Sequence, residues 1–204
     1  MGYTFLELRG KEINPYIQEI ANLRINVFKE YPYLYEGSFA YEEKYLQTYI
    51  NSPRSLFILV KDKSKYIAAS SCIPLLDEET KLQKPFLENN FELKKIFYLG
   101  ESIVLKDYRG RGIGKSFFEK RHKHALKTTK DLQITTFCSV VRDKSYDNKK
   151  AESYRANDSL WTKVGYERQD KLIAEYKWPD IGENKESIKK MIFWTRQVPE
   201  NTEG

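Results

Sequence analysis

The stretch that decides the fold is ESIVLKDYRGRGIGKSFFEKRHKHA, residues 101–125. It begins as an apolar strand, passes through a loop with glycine at positions 110, 112 and 114, and continues in a helical pattern. Glycines let the backbone N–H groups approach an anion closely, and the following helix adds the positive end of its dipole. The stretch therefore predicts a strand–loop–helix unit that binds an anionic group.

Three kinds of phosphate-binding loop have sequences close to this one. The nucleoside triphosphate loop, G-x-x-x-x-G-K-[ST], matches at 114–116 but needs glycine at position 109, which is arginine. The dinucleotide fingerprint G-x-G-x-x-G matches Gly110 and Gly112 but needs glycine at position 115, which is lysine. The pattern R-x-x-G-x-G matches at every fixed position of 109–114. A glycine-rich turn without a ligand is the remaining alternative.

The third pattern resembles the pyrophosphate loop of the GNAT superfamily of N-acetyltransferases, which use acetyl-CoA. The resemblance extends over the strand, loop and helix of 101–125, over the order of elements along nearly all 204 residues, and to the late segment WTKVGY, 161–166. It implies an α+β (mixed α/β) GNAT-like fold. That fold has a central, mainly antiparallel twisted sheet of about seven strands flanked by helices, in a single acetyltransferase domain spanning 1–204.

Along the chain, hydrophobic periodicity and turn residues predict strands and helices in an order that agrees with this fold. The strands are expected at 3–9, 55–62, 65–76, 96–105, 132–141, 171–178 and 187–198. The helices are expected from Asn14 and Pro15 onward, at 40–52, around 85–95, at 114–128 and at 159–166.

The resemblance implies acetyl-CoA as the cofactor and also implies where it binds. Backbone groups of Ser102, Ile103 and Val104 are expected to meet the pantetheine arm, with the Val104 N–H as the donor to the reacting carbonyl oxygen. The diphosphate is expected on the loop. The cofactor-binding residues implied there are Arg109, Gly110, Arg111, Gly112, Ile113, Gly114 and Lys115, with Ser116 just behind.

Acetyl transfer needs a neutral amine, a donor to the carbonyl oxygen and a proton for the leaving thiolate. Glu101 is the acid–base candidate, because many family members carry an acidic residue there; the alternative is a strand-end glutamate paired with a surface lysine. The family's tyrosine acid is replaced here by Trp161, whose indole cannot protonate a thiolate at neutral pH. Tyr154 is the first replacement candidate, ahead of Tyr146 and Tyr166.

The resemblance places the acceptor pocket between the first two helices and their connection FKEYPYLYEG, 28–37. Aromatic faces beside a carboxylate suit a cationic or aromatic amine. The alternative is a proline-braced loop whose tyrosines pack on the core. Arg24, placed on the polar side of the first helix, is expected to form a salt bridge or contact a substrate carboxylate. The expected acceptor-binding residues are Arg24, Tyr31, Tyr33, Tyr35 and Glu36.

Composition limits the other classes of function. The chain has 35 basic and 29 acidic residues, a net charge of +6, and these charges are spread along the sequence. Cys72 and Cys138 lie in apolar runs without a CxxC pattern, which predicts structural thiols and neither a disulfide framework nor a metal site. The start of the sequence has no signal-peptide pattern, and no apolar run reaches 18 residues. We therefore expect a soluble cytoplasmic protein without a membrane partner.

The sequence predicts an N-acetyltransferase that moves an acetyl group to a primary amine by direct attack in a ternary complex. The acceptor is a small molecule or a peptide. One alternative is a GNAT-shaped acyl-CoA-binding protein without efficient catalysis, which the tryptophan at 161 favours. A nucleic-acid-binding module is the other, but no binding motif supports it, and no nucleic-acid partner is expected. A homodimer that pairs through the last strand, 190–198, is also considered.

Overall fold

A computed structural model describes residues 2–142, 146 and 154–199. Within these residues it contains five α-helices and a seven-stranded sheet. The strands are β1 Thr4–Leu8, β2 Leu56–Asp62, β3 Lys65–Pro74, β4 Ile96–Val104, β5 Ile134–Val140, β6 Glu167–Trp178 and β7 Ser187–Gln197. The helices are α1 Ile17–Phe28, α2 Phe39–Asn51, α3 Thr80–Glu88, α4 Ile113–Thr128 and α5 Asp158–Lys163.

The sheet order is β1-β2-β3-β4-β5-β7-β6. Each pair of neighbours is antiparallel except β4 and β5, which are parallel and are joined through α4. The mixed α/β fold with a mainly antiparallel sheet of seven strands is therefore confirmed.

The last strand lies inside the sheet and not at its edge. β7 pairs with β5 through Met191–Gln197 and with β6 on its other side. The expected dimer contact through residues 190–198 is therefore wrong, because both hydrogen-bonding edges of this strand are already used. β1 and β6 form the two edges of the sheet.

The core consists of two apolar layers, one on each face of the sheet. In β2, Phe57 and Leu59 belong to one buried cluster, whereas Ile58 and Val60 belong to the other. Successive side chains of a strand point to opposite faces, so a strand that is covered on both sides is apolar throughout. Helices α1, α2 and α3 contribute to the first layer, and α4 contributes to the second.

Two helices begin at other residues than the sequence predicts. A 3-10 turn over Gly10–Tyr16 contains Pro15, and α1 begins only at Ile17. The turn is fixed by tertiary contacts, because the Gly10 N–H donates to Ser55 Oγ at 3.2 Å. A proline near a helix start is a local pattern, and it does not reveal such a contact.

The third helix lies earlier than the expected 85–95. α3 spans Thr80–Glu88, with Pro85 in its interior. It ends where Asn90 adopts a φ of 62° and the Phe91 N–H donates to Phe86 O at 3.0 Å. A left-handed asparagine with such a backward bond is a helix C-terminus. The pair of asparagines therefore ends the helix, although the sequence pattern placed them inside it.

Candidate active site

The candidate site lies where β4 separates from β5. β4 pairs with β5 only at Ile96, Phe97 and Tyr98. Beyond Tyr98, β4 continues to Val104 with β3 as its only strand neighbour among the described residues. Within the described residues, no strand pairs with the other edge of β4 over residues 99–104, and this is the open edge of the strand.

The open edge presents alternate backbone groups. The Leu105 N–H donates to Ile67 O at 2.9 Å, and Val104 lies opposite Ala68. In an antiparallel pair, hydrogen-bonded and non-hydrogen-bonded residue pairs alternate. The backbone N–H and C=O of Val104 and Ser102 therefore point away from β3 toward the open edge, whereas those of Ile103 point toward β3.

A β-bulge shapes the same part of β4. Ser70 lies opposite Ser102 but Cys72 lies opposite Leu99, so the register shifts at Gly100 and Glu101. A Cβ atom at Gly100 would lie 2.2 Å from Ser71 Oγ and 2.5 Å from Tyr49 Oη. Only glycine fits between β3 and α2 at this point. The bulge brings Glu101 against α1 and α2.

A groove with a volume of about 930 Å³ runs along the open edge of β4 and over the glycine loop. Its walls include the strand residues 102–104, the end of α1 with the segment after it, and Tyr154. Loop residues form its far end. Of the loop residues predicted to bind the cofactor, Arg109, Gly110, Gly112, Ile113, Gly114 and Lys115 line the groove.

The backbone of the loop is suited to hold a diphosphate. Gly110 and Gly112 have φ values of +76° and +82°, and the space that a Cβ atom would take at either residue is open. Helix α4 begins directly afterward, and its first-turn bond runs from the Ser116 N–H to Gly112 O at 3.2 Å. The N–H groups of Ile113, Gly114 and Lys115 therefore precede the hydrogen-bond ladder of the helix and can bind an anion.

The basic side chains of the loop are bound to other parts of the protein. Arg109 forms two bonds of 2.8 Å to the Glu30 carboxylate, and its Nε donates to Val104 O at 3.0 Å. Arg111 donates to Tyr3 Oη at 3.1 Å. Lys115 Nζ lies 3.8 Å from a carboxylate oxygen of Glu119, one helical turn later. Arg109 and Arg111 are therefore engaged within the protein, whereas the Lys115 side chain is 84% exposed and only loosely paired.

Glu101 is buried and held by two neighbouring side chains. Its Oε2 accepts from Tyr45 Oη at 2.9 Å and lies 2.8 Å from Arg24 Nη1. Its Oε1 is buried and has no hydrogen-bond partner in the part of the chain that the structure describes. Glu101 is therefore paired with a buried arginine, and one oxygen is left for a further ligand.

Arg24, which the sequence predicts on the polar side of the first helix, lies in the core. Its side chain is 8% exposed and bridges the carboxylates of Glu42 and Glu101. The guanidinium also stacks on the Tyr45 ring, 3.9 Å from the ring centre. The periodicity of α1 does not show that buried carboxylates on α2 and β4 will face this position.

An aromatic cavity of about 100 Å³ lies beside Glu101 and Arg24. Among the predicted acceptor residues, Tyr33 and Tyr35 line this cavity together with Arg24, but Tyr31 and Glu36 do not. The other rings around it are Phe28, Tyr41, Tyr45, Tyr98, Tyr176 and Trp178. Its remaining lining comes from Gly100, Cys138 and Met191.

Two of the predicted acceptor residues lie elsewhere. Tyr31 lines the groove, where its ring packs edge-to-face on Tyr154 with 4.8 Å between ring centres. Glu36 is exposed, and its backbone N–H donates to Pro179 O at 3.2 Å. Of the tyrosines of the 28–37 segment, Tyr31 therefore lines the groove, Tyr35 lines the cavity and Tyr33 lines both.

Apart from Glu101, the residues that α2, β4 and β6 bring to the cavity were not predicted from the sequence. A pattern for α2 was present in the sequence, because Tyr41, Tyr45 and Tyr49 recur every four residues and so share one face of the helix. The contributions of Tyr98 and Trp178 depend on how distant strands meet, and no local pattern predicts them.

The segment between α1 and α2 is braced by Arg142, which follows β5, and by Trp178 at the end of β6. Arg142 binds the Asp180 carboxylate at 2.7 and 2.9 Å and donates from Nε to Pro32 O at 2.7 Å. The Trp178 Nε1–H donates to Tyr33 O at 3.2 Å. These bonds fix the tyrosines of the segment against the cavity.

The candidate proton donors lie in different places. Tyr154 lines the groove, next to Tyr31. Trp161 packs in the opposite layer against Phe137 and Trp194, with ring centres 5.0 and 5.1 Å apart. Of the two other tyrosines considered, Tyr166 is buried in that layer and bonded to Thr135, whereas Arg142 stacks on Tyr146.

The two cysteines are poorly suited to act as nucleophiles. Burial raises the pKa of the Cys72 thiol and of the Cys138 thiol to about 12. Cys138 lines the cavity, and its Sγ lies 3.1 Å from Tyr98 Oη. A thiol with such a pKa stays protonated at neutral pH, whereas the thiolate is the reactive form.

Two further findings apply to residues 2–142, 146 and 154–199. No group of three or more His, Cys, Asp or Glu side chains is arranged to hold a metal ion. None of the helices combines the length and the apolar character needed to cross a bilayer.

Similarity to known proteins is found among solved structures and not among sequences. No protein-family model matches the chain, and no curated protein sequence matches it significantly. Among solved structures, the ribosomal-protein-S18-alanine N-acetyltransferase from Escherichia coli superposes with a TM-score of 0.56 at 13% identity, covering 98% of both chains. The PaiA N-acetyltransferase from Thermoplasma acidophilum, in complex with coenzyme A, gives 0.53 at 12% identity, covering 97% of this chain and 100% of that one.

A third structure is the IAA acetyltransferase from Bacillus cereus, with a TM-score of 0.52 at 13% identity, covering 97% of this chain and 100% of the other. The similarity extends over nearly the whole chain in all three cases. It confirms the fold that the resemblance of the glycine loop implied.

Proposed function

We propose that this chain, which has the GNAT fold, transfers an acetyl group from acetyl-CoA to a primary amine by direct attack in a ternary complex. The observation that carries the proposal is the position of β4 between two spaces. Glu101 lines the aromatic cavity, and the next residue, Ser102, lines the groove. Phe28 and Tyr33 line both spaces, so the two meet at the bulge.

The groove suits CoA in both shape and chemistry. The outward N–H and C=O groups of Ser102 and Val104 can pair with the amides of the pantetheine arm as another strand would. The backbone of 110–115 and the N-terminus of α4 can hold the diphosphate. The cofactor supplies the acetyl thioester, which this arrangement would place at the junction with the cavity.

The cavity favours an aromatic or apolar amine as the acceptor. Eight aromatic rings surround it, and their faces attract a cation as well as apolar groups. Glu42, Arg24 and Glu101 form a buried cluster of two carboxylates and one guanidinium, which carries a net negative charge when both carboxylates are ionised. This charge favours binding of an ammonium group.

In the proposed reaction, Glu101 accepts the proton that the ammonium group loses. The neutral nitrogen attacks the thioester carbonyl carbon, and the carbon–sulfur bond breaks. The Val104 N–H, on the open edge of β4, donates to the carbonyl oxygen as negative charge develops there. Tyr154 in the groove donates a proton to the leaving sulfur. The nitrogen loses its second proton as the amide forms, and this proton restores the Tyr154 phenol.

Calorimetric titration with acetyl-CoA tests the groove. Gly112→Asp places a carboxylate and a side chain at a left-handed position on the diphosphate site, and we expect it to abolish micromolar binding. Gly182→Asp is the matched control, because Gly182 also has a left-handed φ, +81°, and open space around it, but lies outside the groove. Wild-type protein that does not bind acetyl-CoA would contradict the proposal.

Thiol release with a panel of amines tests the acceptor. We expect 2-phenylethylamine and tryptamine to be acetylated with a higher kcat/KM than spermidine or a peptide N-terminus. CoA binding without turnover of any amine would favour the alternative of a binding protein without efficient catalysis. Trp161 supports that alternative, since it places no phenol at the family's position for the general acid.

A further inference from the structure

We infer that Tyr45, Tyr49 and Glu78 form a proton path that carries the acceptor's proton from Glu101 to a separate depression on the protein surface. The inference rests on the proposed function, and it assigns a role to three residues that the reaction scheme above does not use. It concerns the fate of the proton after Glu101 has accepted it.

The path is an unbroken series of hydrogen-bonding groups. Glu101 Oε2 lies 2.9 Å from Tyr45 Oη, Tyr45 Oη lies 3.1 Å from Tyr49 Oη, and Tyr49 Oη lies 3.0 Å from Glu78 Oε1. The two outer distances are within the usual range for a hydroxyl donor, and the middle one is about 0.1 Å longer than that range. The tyrosines are one turn apart on α2, so the helix itself sets their spacing.

The far end of the path reaches a different surface. Glu78 is 5% exposed and lines a depression of about 640 Å³. Arg54, Asp77 and Glu79 also line this depression, and none of its lining residues belongs to the groove or the cavity. Water at this surface can take up a proton from Glu78 without entering the acceptor cavity.

Few side chains are placed to take the proton from Glu101. Its side chain contacts Arg24 and Tyr45. A guanidinium is already fully protonated and has no site to receive a proton. The hydroxyl of Tyr45 can both accept and donate, so it is the side chain in contact with Glu101 that can pass a proton on.

The transfer is balanced when each hydroxyl gives up one proton and receives another. The Glu101 carboxyl loses its proton from Oε2 to Tyr45 Oη, the former Tyr45 proton passes to Tyr49 Oη, and the former Tyr49 proton passes to Glu78 Oε1. Three O–H bonds break and three form. Glu101 becomes a carboxylate again, both phenols stay neutral, and Glu78 releases its proton to water.

The chemistry of the groups suits this exchange. Burial raises the pKa of both phenols well above its ordinary value, so neither forms a phenolate along the path. Burial also raises the pKa of Glu78 to about 7, so this carboxyl can accept and release a proton near neutrality. Burial outweighs the hydrogen bond from the Glu79 backbone N–H to Glu78 Oε2, 2.8 Å long, which acts to lower this pKa.

The other charged groups at the far end are engaged with one another. Asp77 binds Arg54 at 2.5 Å and accepts from Ser52 Oγ at 2.6 Å. Glu79 forms an ion pair with Lys81. Glu78 is therefore the carboxyl at this depression that is bonded to a tyrosine of α2, Tyr49.

Tyr49→Phe tests the path, because Tyr49 neither contacts Glu101 nor lines the cavity or the groove. We expect kcat with 2-phenylethylamine at pH 7 to fall by about tenfold or more. The deficit should shrink as the pH rises toward 9.5, because more of the amine then binds in its neutral form. Tyr166→Phe is the matched control, since it also removes a buried, hydrogen-bonded phenol hydroxyl, but in the opposite layer.

Glu78→Gln provides a second, independent test, because an amide cannot receive the proton. We expect the same pH-dependent deficit, and no further loss in the double variant, because both changes interrupt one path. Unchanged acetyl-CoA affinity shows that the variants are folded. Wild-type kcat in both single variants, or a deficit that does not change with pH, would overturn the path while leaving the acetyl transfer intact. A wild-type protein that acetylates no amine would overturn the proposed function and the path with it.

Discussion

At the scale of single residues, Glu101 lines the cavity, belongs to the buried ion pairs and directly precedes Ser102, which lines the groove. Glu101→Gln keeps the size of the side chain but removes its capacity to accept a proton. We expect kcat to fall by about 100-fold, because general base catalysis contributes at least this much in well-positioned sites. Thiol release at saturating acetyl-CoA measures the effect.

The control for this prediction is Glu36, the glutamate that the sequence predicted to bind the acceptor. Glu36 is exposed and lines neither the cavity nor the groove, so Glu36→Gln should leave kcat unchanged. Acetyl-CoA affinity should stay within about twofold in both variants, since neither side chain lines the groove. Equal kcat values for Glu101→Gln and the wild type would rule out Glu101 as the base.

The residues of the candidate site differ in how far the sequence predicts them. Glu101 and the glycine loop follow from a contiguous motif, and the structure places them in one continuous region. Glu42 lies at a buried position of α2 and binds Arg24, yet no motif distinguishes it from any other helical glutamate. Its role depends on the crossing of α1, α2 and β4, which is a tertiary property.

At the scale of elements, local rules predicted the strands more closely than the helix starts. Apolar alternation and continuous apolar runs located β2, β3, β4 and β7 within a few residues. The start of α1 and the end of α3 were set by a tertiary contact to Ser55 and by the conformation of Asn90. The first is a contact between residues far apart in the sequence, and the second is the dihedral angle of a single residue. Hydrophobic periodicity reports neither of them.

The Arg109–Glu30 pair connects two elements, the glycine loop and the segment after α1. Both side chains are about 40% exposed, and the Glu30 carboxylate lies at the groove in which we place the diphosphate. Glu30→Gln should release Arg109 toward the diphosphate and remove a like charge from it. We expect acetyl-CoA to bind about two- to fivefold more tightly, because exposed ion pairs contribute about 0.2–1 kcal/mol.

Calorimetry at low and high salt measures this change. The gain should be larger at low salt, because ions screen exposed charges. Glu92→Gln is the matched control. Glu92 is likewise an exposed carboxylate in an ion pair, with Lys95 as its partner, but it lies away from the groove. Weaker binding in Glu30→Gln would show instead that the pair holds the loop in its binding conformation.

At the scale of the whole molecule, the sheet separates two kinds of interior. The layer of α4 and α5 is filled by apolar and aromatic packing that includes Trp161 and Trp194, and it also buries the charged side chain of Arg121, which donates to backbone carbonyls. The layer of α1 and α2 contains the aromatic cavity and the buried charged or ionisable side chains of Arg24, Glu42, Glu78 and Glu101. Burying ionisable groups has a free-energy cost, so this second layer should make the stability of the protein depend on pH.

Glu78 gives that dependence a sign and a range. Burial raises its pKa from 4.5 to about 7 in the folded protein, so between these values the folded state holds a proton that the unfolded state has released. Stability from this group is fully present below pH 4.5 and is lost as the pH rises through 7. We expect the free energy of unfolding of the wild type, relative to Glu78→Gln, to fall by up to about 3 kcal/mol between pH 4.5 and 8. Urea unfolding of both proteins across this range measures the difference, and parallel pH profiles would show that Glu78 titrates normally.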